Sequence, residues 1–110
     1  MSRDVKKEID NLVKQNKVFL FMKGTPEQPQ CGFSAKVIQM LNECGCSYKS
    51  ADVLADPEIR QGVKDYSDWP TIPQLFINGE LIGGCDITTN LYNTGKLQTL
   101  LKKTFGQKVT

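Results

Sequence analysis

Cys31-Gly-Phe-Ser34 carries one thiol where a dithiol redox pair would carry two; the second position, three residues on, is a hydroxyl. Before it lies a polar, Pro-containing loop, Lys23-Gly-Thr-Pro-Glu-Gln-Pro-Gln30, and after it an apolar periodicity that reads as a helix. A thiol at a helix start faces unpaired backbone N–H groups and the positive end of the helix dipole. Both favour the thiolate, and the charge of Lys23 adds to them. Gly32 lets the backbone turn and lets a ligand come close. A Cys-x-x-Cys pair resolves its own mixed disulfide. Cys31 has no such neighbour, so it needs an outside thiol, a distant cysteine, or another task such as metal ligation.

Two more stretches carry chemistry. Trp69-Pro-Thr-Ile-Pro73 precedes a strand. Pro73 brings no ladder donor, and the bond before it is a candidate cis peptide. A cis bond is expected to turn Ile72 outward and free its N–H and C=O for an extended peptide; an ordinary tight turn fits the same residues. Gly83-Gly-Cys-Asp86 opens a helix. Its N–H groups suit a carboxylate, and Asp86 suits either a helix cap or a ligand's ammonium. Cys85 reads either as a second redox thiol or as a small packing residue. Cys44 falls on an apolar helical stripe and Cys46 just past its end. They are too close for a zinc knuckle, and no second pair exists.

The elements that must position these residues are legible in the periodicities. Val5, Ile9, Leu12 and Val13 predict a helix over residues 3–15, and Val18 to Met22 a strand buried on both faces. Val37, Ile38, Leu41 and Cys44 make the next helix, stopped at Gly45. Tyr48 to Val53 reads as a second strand. Asp56-Pro57-Glu58 starts a helix whose apolar face is Ile59, Val63 and Tyr66. Gln74–Ile77 and Glu80–Ile82 flank Asn78-Gly79, a hairpin signal. Two closing helices follow, Thr88 to Tyr92 and Leu97 to Leu101, and a frayed tail from Phe105 to Thr110. The order α-β-α-β-α-β-β-α-α predicts an α/β fold: a four-stranded mixed sheet with helices on both faces.

Composition narrows the classes. With 110 residues, 39% hydrophobic and 24% charged, the chain suits one ordered domain with one core, 1–110. A net charge of +2, with dispersed lysines, gives no footprint for nucleic acid. No apolar run is long enough to span a bilayer. The N-terminus resembles neither a secretory signal nor a transit peptide, so the four cysteines are expected to be thiols. The chain has no histidine, which removes Cys-His hydrolase chemistry and every Cys/His zinc pattern.

Together, Lys23 to Ser34, Tyr66 to Gln74 and Gly79 to Asp86 resemble one family, the monothiol glutaredoxins with a Cys-Gly-Phe-Ser active site. The resemblance spans about residues 5–103 and implies a thioredoxin-like fold and glutathione binding. By that resemblance Cys31 is the active thiol and the metal ligand. Lys23 and Arg60 hold the glycine carboxylate of glutathione, with Lys64 nearby. Thr71 and Ile72, beside Pro73, pair with its cysteinyl backbone. Cys85 and Asp86 take the γ-glutamyl end, while Gly32, Phe33 and Gly84 shape the groove. A [2Fe–2S] cluster is typically held by four thiolates. Two Cys31 thiolates and two glutathiones would supply them, bridging a homodimer that is monomeric without cluster. The resemblance also implies a BolA-like partner, apo iron–sulfur acceptor proteins, and a bacterial cytoplasm or a mitochondrial matrix. The competing expectation is an enzyme that removes glutathione from protein mixed disulfides through Cys31.

Overall fold

The computed structural model describes residues 3–106. Strand β1 (Val18–Met22) is buried at every position, because it lies inside the sheet with helices over both faces. It pairs in parallel with β2 (Lys49–Asp52) and antiparallel with β3 (Gln74–Ile77), which forms the hairpin with β4 (Glu80–Gly83). The strand order is β2-β1-β3-β4, the predicted mixed sheet. β2 is shorter than the predicted Tyr48–Val53: four residues pair in register with β1, and Val53 adds one N–H bond to the Met22 carbonyl at 2.9 Å.

Alternation along the strands sorts the core into two layers. Val18, Leu20, Met22, Leu75 and Ile77 face helices α2 (Gly32–Cys44), α4 (Cys85–Asn93) and α5 (Lys96–Thr104). Phe19, Phe21 and Phe76 face α1 (Val5–Gln15) and α3 (Pro57–Ser67). Asp56 caps α3 through the Ile59 N–H, with Pro57 in the first turn, as predicted. α1 and α3 are tied by the Tyr66 hydroxyl donating to Asp10 at 2.7 Å, and by Arg3 reaching Asp56 and Glu58 at 2.8 and 2.9 Å. These ties set the position of α3, which carries Arg60 and Lys64.

Three expectations are corrected. Helix α4 begins at Cys85, inside the Gly83-to-Asp86 stretch read as opening a helix, and not at Thr88 where the periodic span was drawn. Ile72 does not turn its side chain outward: it is buried among Val53, Val63 and Phe76. Phe105 is not part of a loose tail. It packs on the α2–α4–α5 layer, with the Lys17 ammonium 5.3 Å from its ring centroid. Residues 107–110 lie outside the described residues.

Phe21 is the pivot of the α1–α3 layer. It is fully buried and meets Phe19 at 4.8 Å and Phe76 edge-on at 5.7 Å between ring centroids. Phe21→Ala is expected to cost about 3–5 kcal/mol. Urea unfolding should then show a lower midpoint with an unchanged slope.

Candidate functional site

The site begins where β1 ends. The chain leaves Met22 through Lys23 and Gly24, loops out, and returns so that the Gln30 N–H donates to the Lys23 carbonyl at 2.9 Å. Gly24 makes this return possible. Its φ is +89°, and a Cβ there would sit 2.5 Å from the Gln28 carbonyl oxygen. The Gly24 N–H and the Leu54 N–H both donate to Asp52 Oδ1 at 2.9 Å, which pins the loop to the end of β2. Cys31 is thereby set at the N-cap of α2, with extended backbone.

The first intrahelical bond of α2 runs from the Ala35 N–H to the Cys31 carbonyl, so the N–H groups of Gly32, Phe33 and Ser34 have no helical acceptor. The sulfur takes the place that an N-cap oxygen usually fills. Its thiol pKa is lowered, chiefly by the Ser34 N–H, then by the Phe33 N–H, the Lys23 charge and the Ser34 hydroxyl; partial burial opposes them but does not win. Ser34 itself is fully buried, and its Oγ accepts the Lys23 N–H at 3.1 Å. The residue in place of a second sulfur therefore joins the strand end to the helix start.

A groove of about 500 Å³ runs past this thiol. It is lined by Lys23, Cys31, Phe33, Arg60, Lys64, Thr71, Ile72, Pro73, Gly84, Cys85 and Asp86, so eleven of the twelve predicted site residues meet there. Arg60 and Lys64 are four apart on α3 and project to the same side. The Ile72–Pro73 bond is cis, as predicted. Among the described residues no other backbone group engages the Ile72 N–H or C=O. Gly84 caps α4 without a side-chain bond, which leaves the first N–H groups of α4 free. A Cβ on Gly84 would come within 3.3 Å of the Pro73 carbonyl oxygen and crowd the groove.

Some roles differ from the sequence reading. Gly32 does not line the groove, and nothing lies within 4 Å of where its Cβ would be. Asp86 is not the helix cap; it sits in the first turn of α4, exposed, as a lone carboxylate opposite three cations. Cys85 is 9% exposed, with its Sγ 3.9 Å from Thr89 Oγ1. Cys44 and Cys46 lie at the far end of α2, about 20 Å away. Burial pushes both of their thiols up. Trp69, Pro70 and Ile87 also line the groove but were not singled out. Trp69 and Pro70 stood inside a quoted motif; Ile87 fell just before the predicted start of its helix.

A thiol at a helix start, facing a cis-proline wall across a charged groove on this four-stranded sheet, marks a domain of thioredoxin-like fold. The chain belongs to the glutaredoxin family, whose sequence pattern matches residues 18–82. The similarity extends to its monothiol members. An uncharacterised monothiol glutaredoxin, ycf64-like, of Synechocystis is 56% identical over 93% of this chain and 95% of its own length. A probable monothiol glutaredoxin 2 of Rickettsia felis is 56% identical over 86% and 90%. The solution structure of reduced apo GrxS14 of poplar superposes with a TM-score of 0.81 at 47% identity, covering 94% of each chain. That of a truncated monomeric mutant of Trypanosoma brucei 1-C-Grx1 gives 0.84 at 45%, again over 94% of each.

The lowered thiol pKa makes a linkage prediction. A group whose pKa is depressed by folding adds stability above its unfolded pKa and loses it as pH falls through its folded pKa. The stability of the wild type relative to Cys31→Ser should therefore rise with pH up to about 9, where the unfolded thiol titrates. Paired denaturation curves from pH 5 to 9.5 measure this, and a pH-independent difference would contradict it. Ser34→Ala should cost about 1–3 kcal/mol by leaving the Lys23 N–H without its acceptor.

Proposed function

We propose that the groove binds glutathione and that the loaded protein carries a [2Fe–2S] cluster for assembly and transfer. The observation that carries the first part is the order of groups in one groove. Lys23, Arg60 and Lys64 supply positive charge for a carboxylate. The free Ile72 peptide groups suit an extended peptide backbone. Asp86 and the unpaired N–H groups of α4 suit an amino-acid end that bears both ammonium and carboxylate. A peptide with those three features places its thiol beside Cys31.

The cluster is cargo, and a sulfur count supports its share of the reading. Among the described residues no group of three metal-ligating side chains stands together. The groove holds two cysteines: Cys31 is partly exposed and its pKa is lowered, whereas Cys85 is buried. One chain thus offers one ready thiolate. A second copy and two glutathiones bring the number to the four such a cluster takes. Phe33, 62% exposed, and Ile87, 40% exposed, give the mouth of the groove an apolar rim suited to a second chain. In this reading the protein is a monomer when empty and a homodimer when loaded. A BolA-like protein replaces one copy in a mixed complex, and apo iron–sulfur proteins receive the cluster.

A second reading rests on the same lowered thiol. Cys31 thiolate attacks the glutathionyl sulfur of a protein mixed disulfide, the protein thiol leaves, and free glutathione then releases the enzyme. Anaerobic reconstitution with ferric iron, sulfide and glutathione separates the two. Cluster carriage predicts a coloured species at twice the mass of the chain. The colour should be lost when glutathione is omitted or Cys31→Ser is made, and retained in Cys85→Ser. A colourless monomer with rapid turnover of a glutathionylated substrate would favour the enzyme.

A further inference from the structure

Gln74 is a polar residue with no exposed surface at the start of the inner strand β3, where the positions that follow and face it are apolar. Its side chain does not face the groove. It reaches back along the chain, and its Nε2 donates to the Trp69 carbonyl at 2.9 Å and the Thr71 carbonyl at 3.1 Å. Both acceptors are carbonyls, which fixes which end of the amide is nitrogen. Both of its N–H bonds are used on one five-residue wall, 69–73, and that wall is poor in donors because Pro70 and Pro73 have no N–H.

The consequence follows from peptide geometry. The Thr71–Ile72 bond is trans, so the Ile72 N–H points opposite to the Thr71 carbonyl of the same planar unit. Holding that carbonyl inward aims the Ile72 N–H outward. Ile72 lines the groove, and its N–H has no partner among other backbone groups of the described residues. The burial of the Ile72 side chain in the α1–α3 layer anchors the other side of the same unit.

We propose that Gln74 is a positioning residue: by fixing the Trp69 and Thr71 carbonyls inward it presents the Ile72 N–H to the groove as the donor for a ligand's peptide carbonyl. The ligand class is an extended peptide, and the proposal rests on the glutathione reading above. It makes Gln74, rather than a groove-lining residue, the selector for ligands that have a carbonyl at this point.

The test uses the full chain and S-methylglutathione, which keeps the peptide and cannot exchange disulfides. In the wild type, ¹H–¹⁵N spectra should show the Ile72 amide moving on saturation, together with Lys23 and Asp86. The Gln74 side-chain amide protons should exchange slowly with and without ligand. Gln74→Met keeps the side-chain length and removes both donors. It should bind about tenfold more weakly, with the Ile72 shift lost while Lys23 and Asp86 still respond. A merely structural role would lower stability without singling out Ile72. If Gln74→Met does not fold, the wild-type spectra decide. Shifts at Lys23 and Asp86 with Ile72 unmoved, or fast exchange of the Gln74 amide, overturn this inference alone. No shift anywhere overturns the glutathione reading, and this inference with it.

Discussion

At the start of α2 three backbone N–H groups have no carbonyl to receive them, and the atom set before them is the Cys31 sulfur. Most of the surrounding structure serves that placement. The tight return at Gly24 brings the chain back to the end of β1, Asp52 pins it, and Ser34 joins the strand end to the first helical turn. Serine at this position leaves the thiolate without a local partner and gives the loop an oxygen acceptor. The chemistry and the architecture of the loop thus select the same residue.

The two walls of the groove are built by one device, a side chain that bonds backbone groups of a loop. Asp52 accepts from the Lys23–Gly24 side, and Gln74 donates to the Trp69–Pro73 side. Side chains aimed at backbone hold a loop more narrowly than surface charge pairs do, since exposed ion pairs contribute little each. The groove's charges are also unevenly placed, with three cations along Lys23 and α3 and one carboxylate on α4. A ligand is therefore oriented as well as held.

Much of this was legible in the sequence, and what was missed has a common cause. The buried strands, the Asn78-Gly79 hairpin, the Asp56 cap and the Gly45 stop announce themselves through periodicity and turn chemistry, which are local signals. Nine of the eleven named residues that meet in the groove lie in the three motifs, while Arg60 and Lys64 were named through the family resemblance. Local signals do not say which way a side chain faces once elements pack. Ile72 reads as part of a turn yet fills a core position, and Phe105 reads as tail yet covers a layer. Gln74 gives no sign of its role, because a polar residue opening a strand reads as solvent-facing until the preceding loop folds over it. Asp86 reads either as a cap or as a partner for a ligand's ammonium, and the helix start at Cys85 removes the first by placing it in the first turn.

The chemistry of the site turns on the Cys31 thiolate being favoured by the N-terminus of α2. The direct measurement is its own titration. Thiolate absorbance near 240 nm, followed against pH in the triple variant Cys44→Ser, Cys46→Ala, Cys85→Ser, isolates the one sulfur. The prediction is a midpoint clearly below the ordinary cysteine value of about 8.5. A midpoint at or above that value would mean that the helix start does not activate this thiol, and the functional reading built on it would fall.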